Sequence, residues 1–302
     1  AEINLKNFKT ASNLLQVIEN INIIKNGGAP KWKNNPYENQ ITKAFSETKA
    51  NLDVRNINLS ATSIQAYIQC PLKYKYRYVD KIPAAPDKPF FQLGKVIHKV
   101  LEEFHKEKYD TFDEIINILD LYWNECGYHY DQEKEQNRID AEEMLKNYWT
   151  YLQVYPASTF STEHFFSFET EYATLSGMCD RIDLNEDNAV SIIDYKTSKT
   201  VKTKNELKKD IQIGIYALFL SVEGIEISKN KTIQKIPDKL SMIFLRQKDP
   251  EVSITLTKKD LDRHKETIRE VSDGIMSNNF PSCKGMYCDY CDYKDLICPE
   301  YG

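Results

Sequence analysis

Ser191-Ile192-Ile193-Asp194-Tyr195-Lys196-Thr197 is the stretch whose reading decides the fold. An apolar, β-branched run ends in an acid and a lysine two positions apart. Side chains in a strand alternate with period two, so Asp194 and Lys196 share a face. Upstream, Gly177-Met178-Cys179-Asp180-Arg181-Ile182-Asp183-Leu184 reads as a second strand rich in acids. The turn-like Asn185-Glu186-Asp187-Asn188 joins the two into a hairpin. Asp180 and Asp194 are then expected to meet across neighbouring strands, with Cys179 on the opposite side and Asp183 out of phase, in a structural role. An acid-x-Lys pair by itself is also what a solvated strand displays, so the surrounding residues carry the weight.

Those surroundings set the architecture. Ser60 or Thr62 caps a helix running to Cys70-Pro71. Lys73-Tyr74-Lys75-Tyr76-Arg77-Tyr78 alternates basic and aromatic residues. It reads either as a half-buried element with a solvated basic side or as a stretch touching phosphates and stacking bases. After a proline-marked loop, a helix over about 90–108 carries His98, with Val96, Ile97, Val100, Leu101 and Phe104 on its apolar side. Gly94 and His98 lie one turn apart, and the glycine is expected to let that face approach the sheet. Glu102, one turn further, reads as a surface acid or as a partner supporting His98. Helices follow at about 111–126 and 132–154, the first ending in Cys126, read as a buried thiol.

Strand structure is expected from Phe165, and Glu169 there reads as a salt-bridge or edge acid, or else as a third acid near the site. Lys199, Lys202, Lys204, Lys208 and Lys209 follow the hairpin, as a solvated run or as phosphate contacts. A helix over about 206–222 places Gln212 and Tyr216 on one face. Strands at 240–246 and 252–256 and a helix over 258–277, capped by Thr257, complete the order. The fold class is α/β, with a mixed central sheet flanked by helices.

Residues 1–58 read separately from 59–302. A helix over about 11–24, ended by Asn26-Gly27-Gly28, precedes a polar stretch with Pro30 and Pro36. This segment is either the remnant of an upstream domain or a native extension. The net charge of −5 excludes a globally basic protein, so a nucleic-acid partner must be met by local patches. No run is apolar enough to span a bilayer and no signal peptide opens the chain, which leads to an expectation of a cytoplasmic protein. No GxxxxGK[ST] phosphate loop occurs. Four of the seven cysteines crowd the tail as Cys283-x4-Cys288-x2-Cys291-x6-Cys298-Pro299, which reads as a metal site. Zinc held by four local thiolates and an iron–sulfur cluster are both open.

The ordered set Gly94-x-x-x-His98, Gly177-x-x-Asp180-Arg181-x-Asp183, Asp194-x-Lys196 and Gln212-x-x-x-Tyr216 resembles the RecB-type branch of the PD-(D/E)xK nucleases, from about residue 60 onward. The resemblance implies a restriction-endonuclease-like core and a metal-dependent DNA nuclease using Mg²⁺ or Mn²⁺. It implies His98, Asp180, Asp194 and the carbonyl of Tyr195 as metal ligands, Lys196 on the attacking water, and Gln212 orienting the lysine or the phosphate. Tyr216 is expected beneath Gln212 and is grouped with Lys73, Lys75 and Arg77 as a DNA contact. AddB-type nuclease domains and CRISPR-associated adaptation nucleases place one cysteine before the core and three after it. Cys70, Cys288, Cys291 and Cys298 match that pattern as ligands of a [4Fe-4S] cluster. Two departures are the x6 gap before Cys298 and the extra Cys283, which keeps zinc open. With that resemblance, the N-terminal segment leads to the expectation of the C-terminal nuclease domain of a UvrD/AddB-like helicase–nuclease, trimming single-stranded or end-resected DNA in recombinational repair. Alternatives are a free-standing CRISPR-associated nuclease, a non-catalytic DNA-binding module with a structural cluster, and a zinc-stapled interaction domain.

Overall fold

A computed structural model describes residues 57–83, 89–123 and 131–301. They belong to one unit, Asp53–Gly302. The helix expected over 11–24 and Cys126 lie outside the described residues.

The sheet is built around one strand. β1 (Asn58–Leu59), β2 (Thr159–Glu169), β3 (Thr174–Leu184), β4 (Val190–Lys196), β7 (Lys239–Phe244) and β8 (Glu251–Ile254) form a mixed sheet, with β5 (Ile225–Ser228) and β6 (Lys231–Ile233) pairing as a separate ribbon. β2 runs antiparallel along one edge of β3 for its whole length. The other edge of β3 is shared: β1 pairs at Thr174 and Leu175, and β4 begins pairing only at Arg181↔Ile193. Between these two ladders, Ser176 to Asp180 have no strand partner on that side among the described residues. β4 continues in parallel with β7, and β7 in antiparallel with β8. The expected hairpin is present, with Asn188 taking the positive φ (62°) its turn needs.

Two apolar layers cover the sheet. On one side α1 (Ala61–Gln69), α7 (Ile211–Val222) and α8 (Lys258–Met276) pack on Ile182, Ile192, Leu240 and Met242. The short α2 (Pro71–Tyr74) adds Tyr74 to this layer. On the other side, α3 (Pro89–Lys106), α4 (Phe112–Trp123) and α5 (Asp131–Val154) pack on Ile193, Tyr195 and Ile243. Alternation along β4 therefore sends Ile192 to one layer and Ile193 to the other. Ser60 caps α1 and Thr257 caps α8, each in a reciprocal capping box.

The single helix expected over 206–222 is two elements. α6 (Lys204–Leu207) stops, and Asp210 caps α7 through Gln212 N and Ile213 N. That cap fixes the backbone of Gln212 where its helix begins.

α3 and α5 are bound to the sheet by a buried charge. Arg181 is 3% exposed. Its guanidinium pairs with Asp183 at 2.9 and 3.1 Å, and the two hydrogens of Nη1 are shared among Tyr195 Oη and His105 Nε2, both at 2.9 Å, and Tyr148 Oη. Asp183 thus has the structural role its strand phase suggests. Because Arg181 donates to Nε2, that nitrogen accepts, and the His105 proton sits on Nδ1, facing Thr159 Oγ1 at 3.2 Å. Burial, then Arg181, hold His105 well below the usual histidine range.

An unfolded histidine titrates near about 6.5. The contribution of neutral His105 is therefore fully present above that pH and is lost as pH falls through it toward the lower folded value. Urea denaturation at about pH 7.5 and 5.5 should show wild type losing about 1 kcal/mol more on acidification than His105→Gln.

Candidate active site

The gap in β3's ladder is where the polar side chains converge. Past Arg181↔Ile193 the strands part, and the Tyr195 N–H is taken by a side chain instead of a strand carbonyl: Asp180 Oδ2 accepts it at 2.6 Å. Asp180 and Asp194 thus lie on neighbouring strands where the hairpin opens, close enough for the Asp180 charge to act on Asp194. Asp194, 2% exposed, points toward α7. Its Oδ1 accepts from Gln212 Nε2 at 2.7 Å, and its Oδ2 lies 2.6 Å from Lys196 Nζ. Lys196 also donates to Gln212 Oε1 at 2.9 Å, so Gln212 bridges the two motif residues of β4.

Tyr216 is corrected by the structure. It is 2% exposed and therefore not a surface for DNA. Its hydroxyl accepts from Gln212 Nε2 at 2.7 Å and lies 2.8 Å from the Met178 carbonyl and 3.1 Å from Asp194 Oδ1. It sits beneath Gln212 and ties α7 to the unpaired edge of β3.

On the other side of Asp180, His98 Nδ1 approaches Oδ1 at 3.4 Å. Sequence reasoning missed the third member. Glu163 lies on β2, opposite Asp180 in the β2–β3 register between the pairs Thr162↔Arg181 and His164↔Cys179. Its φ is +44°, a left-handed backbone that only a distorted strand imposes on such a residue. His98, Glu163 and Asp180 each offer a ligand atom within 4.8 Å of the others. β2 starts at Thr159, six residues before the apolar run that signals it, which is why Glu163 fell outside the expected strand. Glu169, the acid considered instead, is exposed at the far end of β2.

Electrostatics mark the same place. Burial, then the Asp180 carboxylate, push Glu163 up to about 6. Burial pulls His98 down, but Asp180, Asp194 and Glu163 outweigh it and the net shift is upward. Lys196 likewise is pulled down by burial and raised further by Asp194, and it stays an ammonium. Carboxylates are crowded here with one imidazole and one ammonium. The buried Asp194 Oδ2 has no aligned hydrogen bond despite its ion pair. Oxygen donors with a single nitrogen suit Mg²⁺ or Mn²⁺, and a cation would offset the Asp180 repulsion that adds to burial in raising Glu163. The group fits a metal, with Glu163 in it and Asp194 beside it, held by Gln212, Tyr216 and Lys196.

Other expected residues fall as follows. A Cβ on Gly94 would sit 3.4 Å from Thr197 Oγ1, an ordinary contact, so close approach does not demand glycine there. Glu102 pairs with Lys99 at 2.7 Å; it is half-buried rather than a surface acid, and its charge also bears on Glu163. Cys179 is fully buried in the core. Lys202 of the basic run is held by Asp210. Lys75 pairs with Asp80 at 2.6 Å, Arg77 lies over the Tyr78 ring, and Lys73 lines a cavity with the cysteines.

That cavity, about 430 Å³, is bordered by Cys70, Cys283, Cys288, Cys291 and Cys298. The tail is tied to the residues after Cys70 by Leu72 N to Pro281 O (3.2 Å), Tyr76 Oη to Ile297 O (3.1 Å) and Tyr293 Oη to Ile82 O (2.9 Å). Cys70 is thereby brought to a segment more than two hundred residues away.

Residues 58–299 match the PD-(D/E)XK nuclease superfamily, which is nearly all of the described fold. The chain belongs to that superfamily. It is 24% identical over 276 residues to the gene 69 protein of Mycobacterium phage D29, covering 80% of this chain and 96% of the phage protein. An uncharacterized protein of Rickettsia bellii is 24% identical over 277 residues, 73% of this chain and 30% of that protein. One polypeptide of the ATP-dependent helicase/deoxyribonuclease of Clostridium acetobutylicum is 29% identical over 111 residues, 35% of this chain and 9% of that polypeptide. The chain thus spans under a third of the Rickettsia protein and a small part of the clostridial one. Among solved structures, a Eubacterium rectale protein named "putative exonuclease" superposes with TM-score 0.53 at 12% identity, covering 89% of this chain and 95% of that one, which shows the fold. No helix among the described residues is long and apolar enough to cross a membrane.

Proposed function

We propose that this nuclease-superfamily chain is a divalent-metal-dependent deoxyribonuclease that shortens single-stranded or end-resected DNA. The observation that carries the reading is the apposition of Asp194 and Lys196 with the His98–Glu163–Asp180 group across the opened hairpin. His98, Glu163 and Asp180 would hold Mg²⁺ or Mn²⁺, with Asp194 and the Tyr195 carbonyl next to them. A bound ion supplies Lewis-acid polarisation of the phosphate and a water acidified toward neutrality. Lys196, kept an ammonium, orients the water and stabilises charge on the phosphate oxygens. Gln212 holds Lys196 and Asp194 in register, and the neutral Tyr216 phenol holds Asp194. Pairing of Lys196 with Asp194 is the arrangement before substrate arrives.

The end-processing setting, with a helicase in the same polypeptide or complex, is supported by the stretch shared with the clostridial helicase/deoxyribonuclease. Cys70, Cys288, Cys291 and Cys298 hold a [4Fe-4S] cluster in this reading. The reading is supported by the ties between the tail and the residues after Cys70, which bring Cys70 to the same cavity as Cys288, Cys291 and Cys298.

Purified without oxygen, the protein should degrade linear single-stranded DNA with Mg²⁺ or Mn²⁺. Lys196→Ala and Glu163→Ala should each lose at least about a hundredfold in rate with unchanged circular dichroism. Full activity of Glu163→Ala would remove that residue from the site. Iron and acid-labile sulfide should each measure about four per chain and fall away in Cys70→Ser. One zinc per chain without iron would select the zinc alternative.

A further inference from the structure

Two large apolar side chains are turned to solvent immediately beside the acidic group. Phe165 is 67% exposed and Met178 is 46% exposed. They are cross-strand partners in the β2–β3 ladder, so their side chains lie next to each other. Each is two residues from a member of the acidic group: Phe165 from Glu163, and Met178 from Asp180. Two residues of strand are roughly 7 Å, and an extended single strand advances by about the same distance per nucleotide. The pair is also fixed to the site. The Met178 carbonyl lies 2.8 Å from the Tyr216 hydroxyl, which in turn lies 3.1 Å from Asp194. The adjoining pair, Ser167↔Ser176, is small and leaves the ring uncovered along the strand.

A strand face ordinarily protects such residues. The neighbours Phe166 and Phe168 do alternate inward, packing under α7 and into the core. Phe165 therefore faces out because the period of the strand puts it there, and no described element covers it. An aromatic ring beside a thioether gives a flat, polarizable surface that any nucleobase can stack on. A duplex hides its base faces, whereas a single strand offers them.

We infer that Phe165 and Met178 form a stacking platform for the base of the nucleotide that adjoins the scissile phosphate. The inference rests on the nuclease reading for which phosphate is scissile. The platform favours single-stranded over duplex DNA without reading base identity.

The test has a binding arm and a cleavage arm. In the binding arm the full chain in EDTA is titrated against single-stranded oligonucleotides carrying 2-aminopurine at successive positions from one end. Wild type should quench one or two adjacent positions. Phe165→Ala should lose that quench and weaken binding roughly tenfold, Phe165→Trp should restore both, and thermal melting should be unchanged in each. In the cleavage arm an abasic nucleotide at the quenched position should raise KM for wild type roughly tenfold and leave Phe165→Ala/Met178→Ala unaffected. Quenching and affinity unchanged in Phe165→Ala would overturn the platform and assign the exposed pair to a protein partner. A wild type that quenches but cuts nothing would sink the nuclease reading while leaving the platform standing.

Discussion

The hydrogen bond from the Tyr195 amide to Asp180 Oδ2, at 2.6 Å, is the constraint on which the site depends. An antiparallel pair normally spends each amide on a carbonyl of its neighbour. Here a carboxylate takes the amide, the strands part, and the edge of β3 from Ser176 to Asp180 is left without a strand partner among the described residues. Buried backbone groups still need partners. α7 meets part of that need through Tyr216 at the Met178 carbonyl, and so carries Gln212 up to Asp194 and Lys196. The opening that satisfies the backbone is the opening in which the acids gather.

Holding such an opening requires stiffness around it. Arg181 supplies it on the opposite face, joining β3, β4, α3 and α5 through Asp183, Tyr195, His105 and Tyr148. A buried guanidinium is costly unless paired and bonded, and this one is both. It directly follows Asp180 in β3, so the backbone beside that carboxylate is immobilised. α3 then contributes twice: His105 to the arginine network and, two turns earlier, His98 to Asp180. The geometry of the acidic group and the packing of the helical layer are one arrangement.

Much of this was legible in the sequence because it follows from short periods. Asp194 and Lys196 share a face by the strand period, Gln212 and Tyr216 by the helix period, and the hairpin register sets Asp180 against Asp194. Ser60 and Thr257 announced their helices through capping chemistry. Glu163 was not legible. It lies in the polar stretch Thr159–His164, which has no apolar alternation, and it reaches the site through long-range pairing and a left-handed φ that no local signal encodes. The break at Asp210 did leave a signal, an N-cap acid, but the lysines around it read as one solvated helix start. The spacing of Tyr216 fixes the face it shares with Gln212 but not what covers that face, so its burial was not legible. His105 and Tyr148 belong to helices whose apolar stripes hide a buried polar network.

The central claim is that His98, Glu163 and Asp180 form one cation site in the opened hairpin. A crystal soaked in Mn²⁺ and measured at the manganese absorption edge tests it most directly. An anomalous peak in contact with Glu163, Asp180 and His98 is expected, lost in Glu163→Ala. A peak held elsewhere, or one on Asp180 that persists unchanged in Glu163→Ala, would contradict it.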